Sequence, residues 1–305
     1  MQHTVARAWR LDTTTGRFLV KAVWVRDPPR WAWRLPYQRA FETQAIVAGI
    51  PAPAQVPPLD PVAGWAGRVN GIGGYRVTEW TDHRQVRPDD DLSEWVGWAL
   101  GTMHSLHISP LPTTDELPYY VSTEKAWAEC LAEAQRQQRP WAAKLAGCIE
   151  RLCLVNQELH DENLRSQDRT FTHHDFTPHN VLLTESGPVV IDWETARVGS
   201  ARLEAGYAAV TFGHGDPGRI RRTLTSYQTH GGQQTWPPVT GLFAHRLGSK
   251  VGQLQTLMTT VLSGRPLSGW QARHQDPDGG VSHLIDAVLA RRDELRRLED
   301  ELSSP

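Results

Sequence analysis

Apolar and polar positions alternate with period two near the start of the chain and recur at three and four residues along most of the rest. A small β-rich part is therefore expected to precede a larger helical one. Residues 5–11 and 18–25 are rich in β-branched and aromatic side chains, and the polar run between them ends in Gly16, so the pattern predicts a hairpin. Strict alternation on its second strand puts Leu19, Lys21, Val23 and Val25 on one face. A lysine in that setting is either an edge charge turned to water or a functional cation. Beyond Pro28 and Pro29, residues 38–47 read as a short helix closed by Gly49, with Pro51 and Pro53 barring its continuation. A Pro/Gly-rich stretch over 51–74 leads to a short strand at 75–80, and the polar run 81–91 reads as a linker.

The helical part opens at 92–106, where Leu92, Trp95, Val96, Ala99, Leu100, Met103 and Leu106 share one face. Further helical signals cover 123–164, broken near Pro140, and then 203–214, 219–230, 239–262 and 280–302. No internal repeat or low-complexity segment interrupts them. The fold class is α+β, with an N-terminal lobe over 1–82 and a larger, mainly helical lobe over 83–305.

Composition removes several function classes. The 305 residues carry 32 Lys plus Arg against 34 Asp plus Glu, so no global positive field favours nucleic acid or an anionic membrane as partner. No run approaches the roughly 18 consecutive apolar residues of a membrane span. The opening Met-Gln-His-Thr has neither a basic nor an apolar signal region, and a cytoplasmic protein is expected. Cys130, Cys148 and Cys153 form no CxxC pair and read as small reduced, apolar residues. The 13 tryptophans are scattered from Trp9 to Trp270, which favours packing over a stacking platform.

The densest chemistry lies in 171–194. His173-x-Asp175-x4-Asn180 is followed by an apolar strand, a Glu-Ser-Gly turn and a second apolar strand ending at Asp192. Two strands joined by a turn place Asn180 and Asp192 at neighbouring ends of a hairpin, with Asp175 on the loop before them. That arrangement suits phosphoryl transfer, in which one carboxylate accepts a hydroxyl proton while an amide oxygen and a second carboxylate hold Mg²⁺ against phosphates. The competing reading is a metal cluster of His173, His174, Asp175 and His179. Adjacent His173 and His174 point opposite ways in extended chain, and nothing like HExxH places two of these residues on one helical face.

The segment resembles the aminoglycoside phosphotransferase and choline kinase-like family, relatives of the protein kinases. Their catalytic loop reads His-Gly-Asp-x-x-x-x-Asn, and their metal aspartate follows in Ile-Asp-(Trp/Phe)-Glu. The resemblance implies a protein kinase-like two-lobed fold that uses ATP and Mg²⁺. It implies Asp175 as base, His173 as the histidine that organises the loop, and Asn180 and Asp192 as metal ligands. It also implies that Lys21 contacts the nucleotide phosphates, that Glu42 is its helix ion-pair partner, and that Glu79 and Trp80 form the hinge that meets adenine.

This chain departs from the family pattern in several places. His174 and His179 stand where glycines are usual, and Glu204 stands near the position of a structural aspartate. Only 20 residues precede Lys21, with Gly16 the sole glycine among them, so the small lobe is expected to be truncated before the Gly-rich phosphate loop. Three explanations are open: a start lying upstream, a protein partner completing the lobe, or ATP held mainly by Lys21 and metal. From Arg197 to Lys250 seven basic residues face only Glu204 and Asp216, a poor lining for a polycationic aminoglycoside. The favoured function is ATP-dependent phosphorylation of a hydroxyl on a small molecule, an antibiotic or a metabolite. The alternatives are a peptide Ser/Thr kinase of a lanthipeptide-like system and a non-catalytic pseudokinase binding module.

Overall fold

Five antiparallel strands form the sheet that carries Lys21: β1 (Ala8–Asp12), β2 (Arg17–Val25), β3 (Pro61–Val62), β4 (Ala66–Val69) and β5 (Gly73–Glu79), in the order β1-β2-β5-β4-β3. The computed structural model describes residues 8–25, 30–59, 61–62, 66–69, 72–108, 122–165, 168–232, 241–267 and 269–303. Residues 5–7 of the expected hairpin, 239–240 of an expected helix and parts of the Pro/Gly-rich stretch lie outside the described residues. The hairpin turn closes through Thr13, whose amide donates to the Gly16 carbonyl at 2.9 Å and whose hydroxyl accepts from the Thr15 and Gly16 amides.

On β2 the alternation holds only as far as Lys21. Lys21 pairs directly with Arg76 on β5 and Ala22 with Tyr75, but Trp24 then pairs with Gly74, leaving Val23 as a bulge. Cross-strand partners share a face, so the bulge brings Trp24 rather than Val23 onto the face of Leu19 and Lys21. The indole lies flat over Gly74, where an added Cβ would fall 2.2 Å from the ring, and it packs against Leu35 and Ala66. Helix α1 (Leu35–Val47) has Pro36 in its first turn, where the missing N–H leaves no helical bond unmade. Its buried face includes Gln38 and Glu42 beside Leu35, Phe41 and Ala45. Two buried polar groups on one helix face need partners, and they find them in the site.

The remaining elements are β6 (Arg84–Gln85), α2 (Ser93–His104), α3 (Glu124–Arg136), α4 (Ala142–Arg165), β7 (Arg169–Thr172), β8 (Val181–Thr184), β9 (Gly187–Val190), β10 (Arg197–Ser200), α5 (Ala201–Gly213), α6 (Pro217–Thr229), α7 (Ala244–Leu262) and α8 (Pro277–Ser303). The run read as a linker contributes β6, which pairs with β8 beside β9; two polar residues carry no alternation from which a strand could be read. The expected break near Pro140 separates α3 from α4. There Trp141 donates its indole N–H to Asp278 at 2.7 Å.

The chain forms two compact units, one of residues 4–114 with 168–234, the other of 1–3, 115–167 and 235–305. The second unit packs α3, α4, α7 and α8 on one another. The first holds the sheet, α1, α2, α5, α6 and β6 to β10, and the expected division at residue 82 falls inside it. No helix among the described residues is long and apolar enough to cross a membrane.

Within the first unit α2 and α6 approach closely because α2 presents Gly97 and Gly101. A Cβ on Gly97 would fall 2.3 Å from the Thr223 carbonyl oxygen, and one on Gly101 2.7 Å from that of Tyr227. Backbone atoms cannot step aside as a flexible side chain can. Alanine would gain about 1 kcal/mol of helix propensity, yet the overpacking costs about 1–3 kcal/mol. Gly97→Ala is therefore expected to destabilise the protein in chemical denaturation, and an unchanged or raised midpoint would show that the helices can part without cost.

Candidate active site

The residues singled out in 171–194 are drawn together by the β8–β9 hairpin. Val181 pairs with Val190, and the Ile191 amide donates to the Asn180 carbonyl at 3.0 Å, so Asn180 and Asp192 flank the open end of the ladder. Thr184 shapes the far turn by accepting from the Ser186 amide and donating to the Gly187 carbonyl. Asn180 directs its amide nitrogen to both the carbonyl and the carboxylate of Asp175, at 2.8 and 2.9 Å. Burial pushes the Asp175 carboxyl above the usual carboxylate range, against the opposing pull of His173 and the Asn180 amide.

His173 is fully buried and donates from Nε2 to the Ile191 carbonyl at 2.9 Å, tying the loop of Asp175 to the strand end that carries Asp192. Its ring lies 5.2 Å from Trp193 and 5.7 Å from Phe176. The aromatic column extends to Phe41 on α1 at one end and to Trp95 on α2 and Phe212 on α5 at the other. Thr195 adds a bond from its hydroxyl to the His173 carbonyl at 2.9 Å.

Glu204, on α5, takes the part expected of a structural aspartate. Its carboxylate accepts from the amides of His173, at 3.1 Å, and of His174, and from His104 Nε2 at 2.8 Å. Burial acts to raise its pKa, but the His104 and backbone donors overcome this and hold it below the ordinary glutamate value. His174 has a left-handed backbone at φ 69°, which explains why glycine is usual at this place. Its ring meets the guanidinium of Arg197 on β10. Asp192 is also left-handed, at φ 67°, a conformation that Asp tolerates better than most residues.

Lys21 reaches the loop after β9. Its ammonium pairs with Asp192 and with Glu194 at 3.1 Å. Burial disfavours that ammonium, yet the two carboxylates more than offset the effect and its pKa lies above the ordinary lysine value. Here the structure corrects an implied contact, because Glu42 pairs with Arg76 and not with Lys21. The reason is register: Arg76 stands directly opposite Lys21 on the neighbouring strand and also meets Glu194 at 3.3 Å. Gln38 fastens α1 to the same loop, donating to the carbonyls of Glu194 and Ala196 at 2.7 and 3.0 Å. Arg76 and Gln38 were not singled out from the sequence, although an arginine between Tyr75 and Val77 in a strand, and a glutamine on the apolar face of α1, are the available signals.

At the expected hinge, the Glu79 amide donates to the Ala54 carbonyl and the Trp80 amide to that of Arg17, both at 2.8 Å. Neither N–H is a free donor, and the Trp80 ring stacks under the Arg10 guanidinium at 5.1 Å. Among the described residues before Lys21, the Thr13–Gly16 turn is the only strand reversal, and β1 is the sheet edge.

The basic excess after the metal loop is dispersed. Arg219 and Arg222 hold the segment before α2 through the Pro88 carbonyl and Asp91, each at 2.6 Å, and Arg202 is buried. Arg246 and Lys250 belong to α7 in the other unit. Arg197 stands against the loop of Asp175, through His174.

The reading of three histidines and an aspartate as transition-metal ligands is not met. His173 is used on Ile191 and His174 on Arg197, His179 is exposed, and among the described residues no three of His, Cys, Asp and Glu group as a metal site. A hard divalent ion fits better. Asn180 uses its nitrogen on Asp175, so its amide oxygen takes no part in that pair. With the Asp192 carboxylate it would offer the oxygen donors that Mg²⁺ prefers.

Glu194 is largely withdrawn from water, which alone would raise its pKa, but Lys21 and Arg76 bring it down to about 2. Since the folded value lies below the unfolded one, its contribution to stability is complete above the ordinary glutamate range and is lost as pH falls toward about 2. Glu194→Gln is expected to lose less stability than the wild type over that acid interval, measured as urea midpoint against pH. Parallel curves would show that the two cations do not hold this carboxylate ionised.

The chain is similar to several known proteins. The sequence profile of APH, the phosphotransferase enzyme family, matches residues 4–242. No curated protein sequence matches the chain. Among solved structures, spectinomycin phosphotransferase APH(9)-Ia in complex with ADP and spectinomycin is similar at TM-score 0.65 and 13% identity, covering 95% of this chain and 90% of that one. A choline/ethanolamine kinase family protein from Mesorhizobium loti is similar at TM-score 0.56 and 13% identity, covering 100% and 95%. The choline kinase LicA from Streptococcus pneumoniae is similar at TM-score 0.56 and 12% identity, covering 93% and 90%.

Proposed function

The chain belongs to the APH phosphotransferase enzyme family, and from that membership we propose that it moves the γ-phosphoryl group of ATP to a hydroxyl of a small molecule. As a member it is a phosphotransferase acting on alcohol groups, with the protein kinase-like fold. The observation that carries the finer reading is the convergence of Asp175, Asn180, Asp192 and Lys21 in one unit. The similar structures include an enzyme bound to ADP and spectinomycin and a kinase of choline, both small hydroxylated acceptors, which supports a small-molecule acceptor here.

In this reading Asp175 takes the proton of the acceptor hydroxyl as its oxygen bonds to the γ-phosphorus and the bond to the β,γ-bridging oxygen breaks, releasing ADP. Asn180 holds the Asp175 carboxylate in place, and His173 holds the loop. Lys21 turns its ammonium to the phosphates. Asn180 and Asp192 would hold Mg²⁺, which when bound supplies positive charge against the triphosphate. Glu79 and Trp80 would flank adenine, with contacts made by groups other than their own amide N–H. Arg197 beside His174, one residue from the base, is unfavourable to a polycationic acceptor.

The direct test offers Mg²⁺-ATP with hydroxylated antibiotics, amino alcohols and a lanthipeptide-type precursor, and reads phosphoryl mass gain. Gain on a small molecule supports the proposal, and gain on peptide alone overturns its acceptor class. Absence of any Mg²⁺-dependent nucleotide binding would instead favour a pseudokinase. Asp175→Ala is expected to lower turnover by about 10²–10⁴-fold with nucleotide affinity kept, while Asp192→Ala weakens Mg²⁺-ATP binding in calorimetry. Wild-type turnover in Asp175→Ala would refute the assignment of the base.

A further inference from the structure

Lys21 and Arg76 are paired residues on adjacent antiparallel strands, with their side chains on the same face. Like charges in that register repel, so the pair is stable only with anions around it. Glu194 supplies one carboxylate to both, with Oε2 3.1 Å from Lys21 and Oε1 3.3 Å from Arg76. Arg76 in turn pairs with Glu42 of α1, which is fully buried. A continuous chain of charge contacts therefore runs from α1 through Glu42, Arg76 and Glu194 to Lys21, which also pairs with Asp192.

We propose that Arg76 is a positioning residue for phosphoryl transfer, tethering Glu194 to α1 so that Glu194 can hold the Lys21 ammonium in place when its other partner, Asp192, is engaged elsewhere. The proposal rests on the phosphotransferase reading. The guanidinium suits the task because its planar fork meets two carboxylates at once, one through each terminal nitrogen. In this arrangement Glu42 acts on Lys21 at two removes, and Glu194 is its immediate anchor. Loss of Arg76 leaves Glu194 held at its side chain by Lys21 alone among these cations. Lysine and carboxylate are then free to shift together, and the nucleotide phosphates meet a displaced ammonium.

A purely structural role must be separated from positioning, because Arg76→Met alone leaves the buried Glu42 with only the longer 3.9 Å contact to Arg39 and lowers stability for that reason. The double variant Glu42→Gln/Arg76→Met removes both members and should regain much of the thermal stability lost by the single one. Steady-state kinetics and calorimetric titration with ATP are then measured on the full chain for the wild type, the double variant and Arg76→Lys. The expected result is a KM and Kd for ATP raised about tenfold or more in the double variant, with the acceptor KM near the wild-type value and partial recovery in Arg76→Lys. A double variant that folds with wild-type ATP affinity and KM overturns the positioning role while leaving the phosphotransferase reading intact. A wild-type protein that neither binds nor turns over ATP overturns both.

Discussion

Two cations set side by side on neighbouring strands govern the arrangement of this site. Lys21 and Arg76 would repel each other across the sheet, and the structure answers with a half-buried carboxylate from another segment, Glu194, placed between them. For Glu194 to arrive there, the loop after β9 must lie against the sheet. That approach also brings Asp192 to Lys21 and sets Gln38 of α1 against the Glu194 and Ala196 carbonyls. The helix, the sheet and the loop of Asp192 are thus fixed by one electrostatic requirement, and the aromatic contact of Phe41 with Trp193 packs the helix against the same loop.

The loop of Asp175 is held from the other side by Glu204. A buried carboxylate that accepts two consecutive backbone amides and an imidazole N–H lets the chain take a left-handed turn at His174 without glycine. Such a backbone costs about 1–3 kcal/mol, and the charge-assisted bonds to Glu204 are of comparable size. With His104 as a third donor, glutamate fills a position where a shorter aspartate is usual.

Much of this was legible in the sequence where chemistry and neighbours lie close along the chain. Asp175, Asn180 and Asp192 are joined by one hairpin whose strands and turn announce themselves, and Glu204 could be located by its distance from the metal loop. The helices over 92–106 and 123–164 followed from apolar spacing, with starts shifted by a residue or two. Where contacts depend on register between distant strands, the sequence was silent. A bulge at Val23 breaks the alternation and exchanges Val23 for Trp24 on the site face, and no local signal marks it. The partner of Glu42 is Arg76 and not Lys21 for the same kind of reason, since helix position alone does not say which of two facing cations a carboxylate will meet. The strand at Arg84 and Gln85 exists only because β8 offers an edge.

The unit that carries the site is discontinuous: residues 4–114 must combine with 168–234 across a stretch that packs elsewhere. Lys21 meets Asp192 over a separation of 171 residues, and Arg76 meets Glu194 over 118. On a ribosome adding about 5–20 residues per second, the sheet waits of the order of ten seconds or more for its counter-ions. During that interval Lys21 and Arg76 oppose each other with Glu42 as the available nearby carboxylate. Any sheet a nascent chain forms before that point lacks the Glu194 carboxylate between Lys21 and Arg76, and closure of the loop after β9, a long-range and therefore slow step, completes it.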